Sequence, residues 1–168
     1  MSGAQVQSDI EFDASDPARI IEMLNERYVR TLDDKNYEGW PDFFTEPCLY
    51  KLLPRENAEQ GLPASLLFFD NQAMLRDRVL CVQEISIYSP HSARHFLGRP
   101  LAELRDDGAI GARTNVMVVH SDRAGNASIF AVGEYQDVIV RRDGGWLFQE
   151  KVMLLDSFMV PSHLAEPL

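Results

Sequence analysis

His91 and His95 stand in an H-x-x-x-H spacing. On a helix such a pair lies about 6 Å apart and could share a metal ion. On a strand the same four residues span about 13 Å, too far for one ion. Pro90 and the segment after it favour extended chain, and no clear third ligand stands nearby in sequence. The spacing therefore reads as a polar histidine pair near a strand start. A second set consists of carboxylates, because Asp33, Asp34 and Asp70 fall next to predicted helix ends. An apolar pocket would raise one of them toward the range of a general base. Asp34 or Asp70 with His95, Tyr50 or Tyr135 would then form an acid–base set. The competing reading makes Asp70 a helix N-cap and Asp33-Asp34 a solvated turn. Glu134 and Asp137 fall on opposite faces of one strand, near Arg141 and Arg142. They either pair with arginine across the sheet or a subunit boundary, or form a solvated strand end. Nucleophile signatures are missing, with neither a G-x-S-x-G elbow nor a glycine-rich phosphate loop. Cys48 and Cys81 have no metal-type spacing and no evident partner.

The elements that would position these groups follow from periodicity. Asp16-Pro17 is a capping residue followed by proline at a first helical position. Ile20, Ile21, Leu24, Tyr28 and Leu32 repeat at helical spacing down to Asp33. Asn36 to Phe44 predicts a short second helix broken at Pro41, with Tyr37, Trp40, Phe43 and Phe44 as its apolar face. Pro47 to Pro54 reads as a strand, Arg55 to Pro63 as a polar loop, and Ala64 to Phe69 as a short strand. Asp70 is expected to cap a third helix over Asn71 to Val82. Ser86 to Pro90 is a linker. Arg94 to Leu104, interrupted by Gly98 and Pro100, reads as an edge strand. Ile110 to Ser121 alternates with period two. Ala127 to Ser157 then forms two long alternating arms around Asp143-Gly144-Gly145, the pattern of a hairpin. Gly133 is a natural place for a bulge in the first arm. After Phe158 the chain has two prolines and no periodicity.

Helices segregated from a run of antiparallel strands make an α+β fold. The long hairpin predicts a strongly curved sheet wrapped around helices, a cone with a pocket inside it. Residues 1–15 read as a flexible tail and residues 16–168 as one α+β cone domain. The chain has 168 residues and is 45% hydrophobic, enough for a core without covalent staples. A formal charge of -10 argues against nucleic acid and anionic membranes, which need a basic patch. Apolar runs are too short to span a bilayer, and two unpaired cysteines fit a cytoplasmic protein. Three of the 16 basic residues are lysine. The arginine bias suits buried ion pairs or a subunit interface.

Three stretches together resemble a known family: the helix Arg19 to Leu32 with DDKNYEGWPDFF, the segment YKLLPRENAEQGLPASLLFFDNQAMLRDRV, and the ending EYQDVIVRRDGGWLFQEKVMLLDS. They are similar to the small (beta) subunit of aromatic-ring-hydroxylating dioxygenases, the Rieske non-haem iron oxygenases. The resemblance runs from about Asp16 to Ser157, and Tyr50 to Val79 is its most specific part. The ending is shared more widely among cone-shaped folds of the nuclear-transport-factor-2 and ketosteroid-isomerase type. The resemblance implies a non-catalytic subunit joined to a large (alpha) subunit, commonly three of each. The large subunit would carry a Rieske iron–sulfur centre and a mononuclear non-haem iron. No cofactor, metal or catalytic residue of the family maps onto this chain. Cys48 and Cys81 lack the paired Cys/His motifs of a Rieske centre, and the sequence offers no convincing two-His-one-carboxylate set. Arg141 and Arg142 become candidate interface residues. Shortness slightly suggests the group acting on carboxylated monocyclic aromatics. The alternative is a stand-alone isomerase, dehydratase or cyclase using the cone pocket, with Asp34, Tyr50, Asp70 and His95 as its residues.

Overall fold

A computed structural model of the chain describes residues 16–85, 89–156 and 164–168. The proposed tail over residues 1–15 and most of the Ser86–Pro90 linker lie outside them. Helix α1 spans Pro17–Asp33. The Asp16 carboxylate caps it by accepting from the backbone N–H of Ala18 and Arg19, at 3.1 and 3.2 Å. The face that the sequence marks as apolar is buried, and Asn25 lies within it. The helix stops at Lys35, whose positive φ of 58° reverses the chain. The predicted second helix is instead two short 3-10 turns, Tyr37–Gly39 and Pro41–Phe43, on either side of the buried Trp40. Pro41 donates no N–H, so a continuous α-helix does not form across it.

Seven strands build one curved sheet: β1 Phe44–Pro54, β2 Leu67–Phe69, β3 His91–Leu97, β4 Leu101–Leu104, β5 Ile110–Asp122, β6 Ala127–Arg142 and β7 Gly145–Leu155. Their order is β2-β1-β7-β6-β5-β3, with β4 also on β5. The predicted Arg94–Leu104 strand is thus two strands, which share β5 end to end because Gly98 and Pro100 interrupt the ladder. Every pairing is antiparallel except that of β1 with β7. Two more helices lie in the β1–β3 connection: α2 Arg55–Glu59 inside the expected polar loop, and α3 Gln72–Leu80, which continues into a wider turn at Cys81–Ile85. The cap of α3 is Asn71, whose side chain accepts from the Met74 N–H at 3.0 Å. Asp70, expected in that role, lies one residue too early and accepts from the Asn71 amide instead.

The hairpin turns at Asp143-Gly144, both with positive φ, as a two-residue primed turn requires. Its curvature comes from bulges at places other than Gly133. Phe130 is the extra residue opposite Val118 and Val119, and Gln149 is the extra residue opposite Val138 and Ile139. Each bulge shifts the alternation by one residue and so exchanges the two faces. Trp146 and Phe148 point inward before Gln149, while Lys151, Met153 and Leu155 point inward after it. Gly133 has a different use. A Cβ there would meet the Leu154 carbonyl oxygen at 2.0 Å, so the glycine permits close backbone approach between β6 and β7.

Tyr28 is the hub of the core. Its ring makes edge contacts with Phe43, Phe44, Tyr135 and Phe148. Its hydroxyl accepts from Trp40 Nε1 at 3.2 Å and donates to the Leu168 backbone oxygen at 3.0 Å. The end of the chain, which has no periodic pattern, therefore packs into the cone. Ala165, Glu166 and Leu168 are buried, and Leu168 N donates to Tyr50 Oη at 2.9 Å. Substituting Gly133→Ala is expected to lower stability by ~3 kcal/mol, the upper end for overpacking, because the opposing atom is backbone. Urea denaturation of the two proteins measures it.

Candidate functional site

Two polar groups interrupt the apolar interior. The deeper one is centred on Lys151, which is fully buried. Its ammonium donates to Asp137 Oδ1 at 3.1 Å, Asp137 Oδ2 at 3.2 Å and Asn25 Oδ1 at 2.9 Å. It also stands over the rings of Tyr135, Phe148 and Tyr28, at 3.8, 4.2 and 4.6 Å from their centroids. Asn25 in turn donates to Thr114 Oγ1 and Asp137 Oδ2, at 3.3 and 3.4 Å. Asp137 and Lys151 are direct partners across β6 and β7. Burial pushes the lysine down to about 8, against the opposing pull of Asp137. Burial likewise raises the Asp137 carboxyl, against the pull of Lys151 and Asn25. A small cavity of about 140 Å³ opens beside Asn25 and Thr114, lined also by Glu22, Leu97, Arg99 and Pro100 but by neither Lys151 nor Asp137. That is well under the 300 Å³ or so of ordinary ligand pockets.

The second group lies on the inward face of β3 and β5, near the end of α1. His95 Nδ1 faces Asp33 Oδ1 at 2.7 Å, and its backbone N–H donates to Asp33 Oδ2 at 3.2 Å. Both side chains are buried, and His95 Nε2 has no partner among the described residues. Farther along β3, His91 stacks on His120, which stacks on Phe130, with centroids 4.0 and 3.8 Å apart. His91 Nε2 is 3.1 Å from Glu166 Oε2, and Lys35 Nζ is 3.4 Å from Glu166 Oε1. Burial and the neighbouring His91 push His120 down to about 4. Burial alone would raise the Glu166 carboxyl, but Tyr37, Lys35 and His91 hold it below its ordinary value.

Known proteins share this arrangement of helices and sheet. A match to the ring hydroxylating beta subunit family spans residues 27–162. The chain is 36% identical over 148 residues to the anthranilate 1,2-dioxygenase small subunit of Burkholderia cepacia, covering 88% of this chain and 92% of that one. The chain belongs to the ring-hydroxylating beta subunit family. It is also 36% identical to the terminal oxygenase component subunit beta 1 of a Comamonas sp terephthalate 1,2-dioxygenase, covering 88% of this chain and 96% of that one. A solved structure described as the beta subunit of an aromatic-ring-hydroxylating dioxygenase from Novosphingobium aromaticivorans DSM 12444 superposes with a TM-score of 0.80. Its sequence is 28% identical, and the match covers 89% of this chain and 94% of that one. This beta subunit thus has the nuclear-transport-factor-2-like α+β cone that the sequence predicts.

The beta subunit does not bring the four pocket residues together. Tyr50 is buried and its hydroxyl donates to the Leu168 oxygen at 3.0 Å. Asp34 and Asp70 are exposed, one as the α1 C-cap and the other before α3. His95 pairs with Asp33, the residue that the turn reading left in solvent. Tyr135 is buried with no partner for its hydroxyl among the described residues. Glu134 and Asp137 face opposite sides as expected, but neither pairs with Arg141 or Arg142. Glu134 accepts a two-pronged contact from Arg113, at 2.8 and 3.1 Å, and Asp137 takes Lys151. Arg141 and Arg142 are exposed at the hairpin corner. Cys48 is buried, and burial, with Glu46 and Asp70, raises its thiol to about 11, which leaves it unreactive.

Sequence reasoning missed Lys151 because strict alternation does not show the Gln149 bulge. It missed the meeting of His91 with His120 and Glu166 because β5 and the chain end supply the partners. The β3–β5 register places His120 opposite Ala93, two residues from His91.

Replacing Lys151 by Met leaves Asp137 buried and unpaired. A loss of about 3–5 kcal/mol is expected. The double variant Lys151→Met/Asp137→Leu should recover most of it, and chemical denaturation of the three proteins gives the comparison. The lysine itself should titrate near 8 by ¹⁵N NMR. Its folded value lies below its unfolded one, so the native state holds fewer protons between the two. This group's contribution to stability therefore rises as the pH climbs from about 8 through 10.5.

Proposed function

We propose that this beta subunit is a non-catalytic scaffold of a multicomponent aromatic-ring-hydroxylating dioxygenase. The observation that carries this reading is the filling of the cone. Tyr28, Tyr135 and Phe148 pack around the Lys151 ammonium, and Tyr50 and Leu168 fill the same core. The cavity beside Asn25 and Thr114 among the described residues, about 140 Å³, is small for an aromatic acid together with catalytic groups. The exposed Asp34 and Asp70 leave the isomerase, dehydratase or cyclase alternative without its two carboxylates.

Membership of the beta subunit family supports placing the cofactor chemistry in a large subunit. A Rieske centre takes two thiolates and two imidazoles. Among the described residues, the one group of three donors within metal reach is His91, His120 and Glu166, a two-His-one-carboxylate set that the sequence reading did not find; it contains neither cysteine and so does not make a Rieske centre. The partner would carry the iron–sulfur centre and the non-haem iron, with three alpha and three beta chains in the assembly. The names of the relatives point to a carboxylated monocyclic aromatic as substrate.

The outer face of the sheet supports assembly. Phe96, Met117 and Val132 lie side by side across β3, β5 and β6. Phe96 is 52% exposed, and Leu101 and Ile129 are also exposed. Large apolar side chains on one sheet face suit a protein contact. The exposed Arg141 and Arg142 add a charged corner.

Coexpression with a Rieske-type large subunit of the same organism should yield a stable complex on size-exclusion chromatography. Phe96→Asp should weaken that complex by about tenfold or more while leaving the beta subunit folded. Absence of any complex, with turnover of a small molecule by the isolated chain, would reverse the assignment.

A further inference from the structure

We infer that His91, His120 and Glu166 form a binding site for a divalent transition-metal ion of the zinc class, which staples the end of the chain to the sheet. The three come from β3, β5 and the last described segment. One ligand atom from each lies within 4.8 Å of the others.

The hydrogen bonds of His91 ask for a cation. Its Nδ1 lies 2.8 Å from the Ser89 carbonyl oxygen, which can only accept, so Nδ1 carries the proton. Metal-ligating histidines are oriented in this way, with the other ring N–H given to a backbone carbonyl. In the neutral ring Nε2 is then a bare lone pair, and it faces the Glu166 Oε2 lone pairs at 3.1 Å. Two acceptors hold that distance only with positive charge between them. A metal ion supplies it, and so does a second proton.

The distances suit the metal. Bonds of about 2.0–2.1 Å in a tetrahedron place ligand atoms roughly 3.3 Å apart. The His91–Glu166 edge is already near that value at 3.1 Å. His120 needs to close by no more than ~1.5 Å, with a ring rotation out of its stack on His91. Lys35 takes Glu166 Oε1 and leaves Oε2 for the ion. Two imidazoles and one carboxylate favour zinc over magnesium or calcium, and the affinity order places zinc above ferrous iron. Water would complete the shell. The site is apart from the 140 Å³ cavity, whose lining includes none of the three residues, so its role is to anchor residue 166. This inference does not depend on the scaffold role.

The test is a titration of the untagged, chelator-stripped full chain with Zn²⁺ by calorimetry, and with Co²⁺ by visible absorption. One ion per chain with a Kd of about micromolar or tighter is expected. Glu166→Gln is nearly isosteric and should weaken binding by about 100-fold or more, with circular dichroism unchanged. His120→Ala should do the same. Zinc should also slow hydrogen exchange over residues 164–168. Two results would overturn the site: no binding up to about millimolar zinc, or binding that survives both variants. Either one assigns the His91–Glu166 contact to a second proton on the ring.

Discussion

The Lys151–Asp137 pair is the constraint around which this cone is arranged. An ammonium taken wholly out of water costs several kcal/mol unless its donors and charge are met. Here two carboxylate oxygens and one amide oxygen take the three protons, and three aromatic faces surround the rest. Each partner depends on a different element. Asp137 comes from β6, Lys151 from β7, Asn25 from α1, and Thr114 on β5 holds Asn25 in place. A shift of any one of them would leave a buried group unpaired. The pair is therefore better understood as a register device than as a source of stability, since apolar residues of the same volume could be as favourable.

That view explains the bulge at Gln149. Alternation from Trp146 and Phe148 would turn Lys151 outward and bury Glu150. One extra residue on β7 inverts the pattern and places Lys151 directly across from Asp137. A one-residue slip of β7 would reverse every side chain. It would also separate the pair, so the charge penalty is added to the lost apolar burial. Gly133 allows the far end of the same hairpin to close, where the backbones of β6 and β7 come too near for any Cβ.

The parts of the fold that were legible in the sequence are those with local causes. Asp16-Pro17, the 3.6-residue repeat of α1, the alternation of β5 and the Asp143-Gly144 turn each carry their own signal. What was not legible depends on distant residues. Neither bulge has a local mark, since Phe130 and Gln149 are ordinary strand residues. The parallel β1–β7 pairing joins segments about 100 positions apart. The aspartates show the same limit. Asp33 and Asp34 are neighbours, but the helix turns Asp33 toward His95 and Asp34 toward solvent, and only the packing of α1 on β3 decides between them. The buried return of residues 164–168 had no pattern at all, because Tyr28, Tyr50 and Arg78 hold it largely through backbone atoms.

The same arrangement bears on the scaffold role proposed above. Catalysis in such a shape needs an open interior with a titratable group facing it. The interior here has its titratable pair, yet the pair is neutral overall, satisfied and sealed by Tyr28, Tyr135 and Phe148. A lysine held near 8 would be a competent base if a substrate could reach it. The aromatic packing that lowers its pKa also denies that access. Exposed apolar surface lies on the opposite side of the sheet, at Phe96, Ile129 and Val132. A filled inside and an apolar outside suit the scaffold role proposed above.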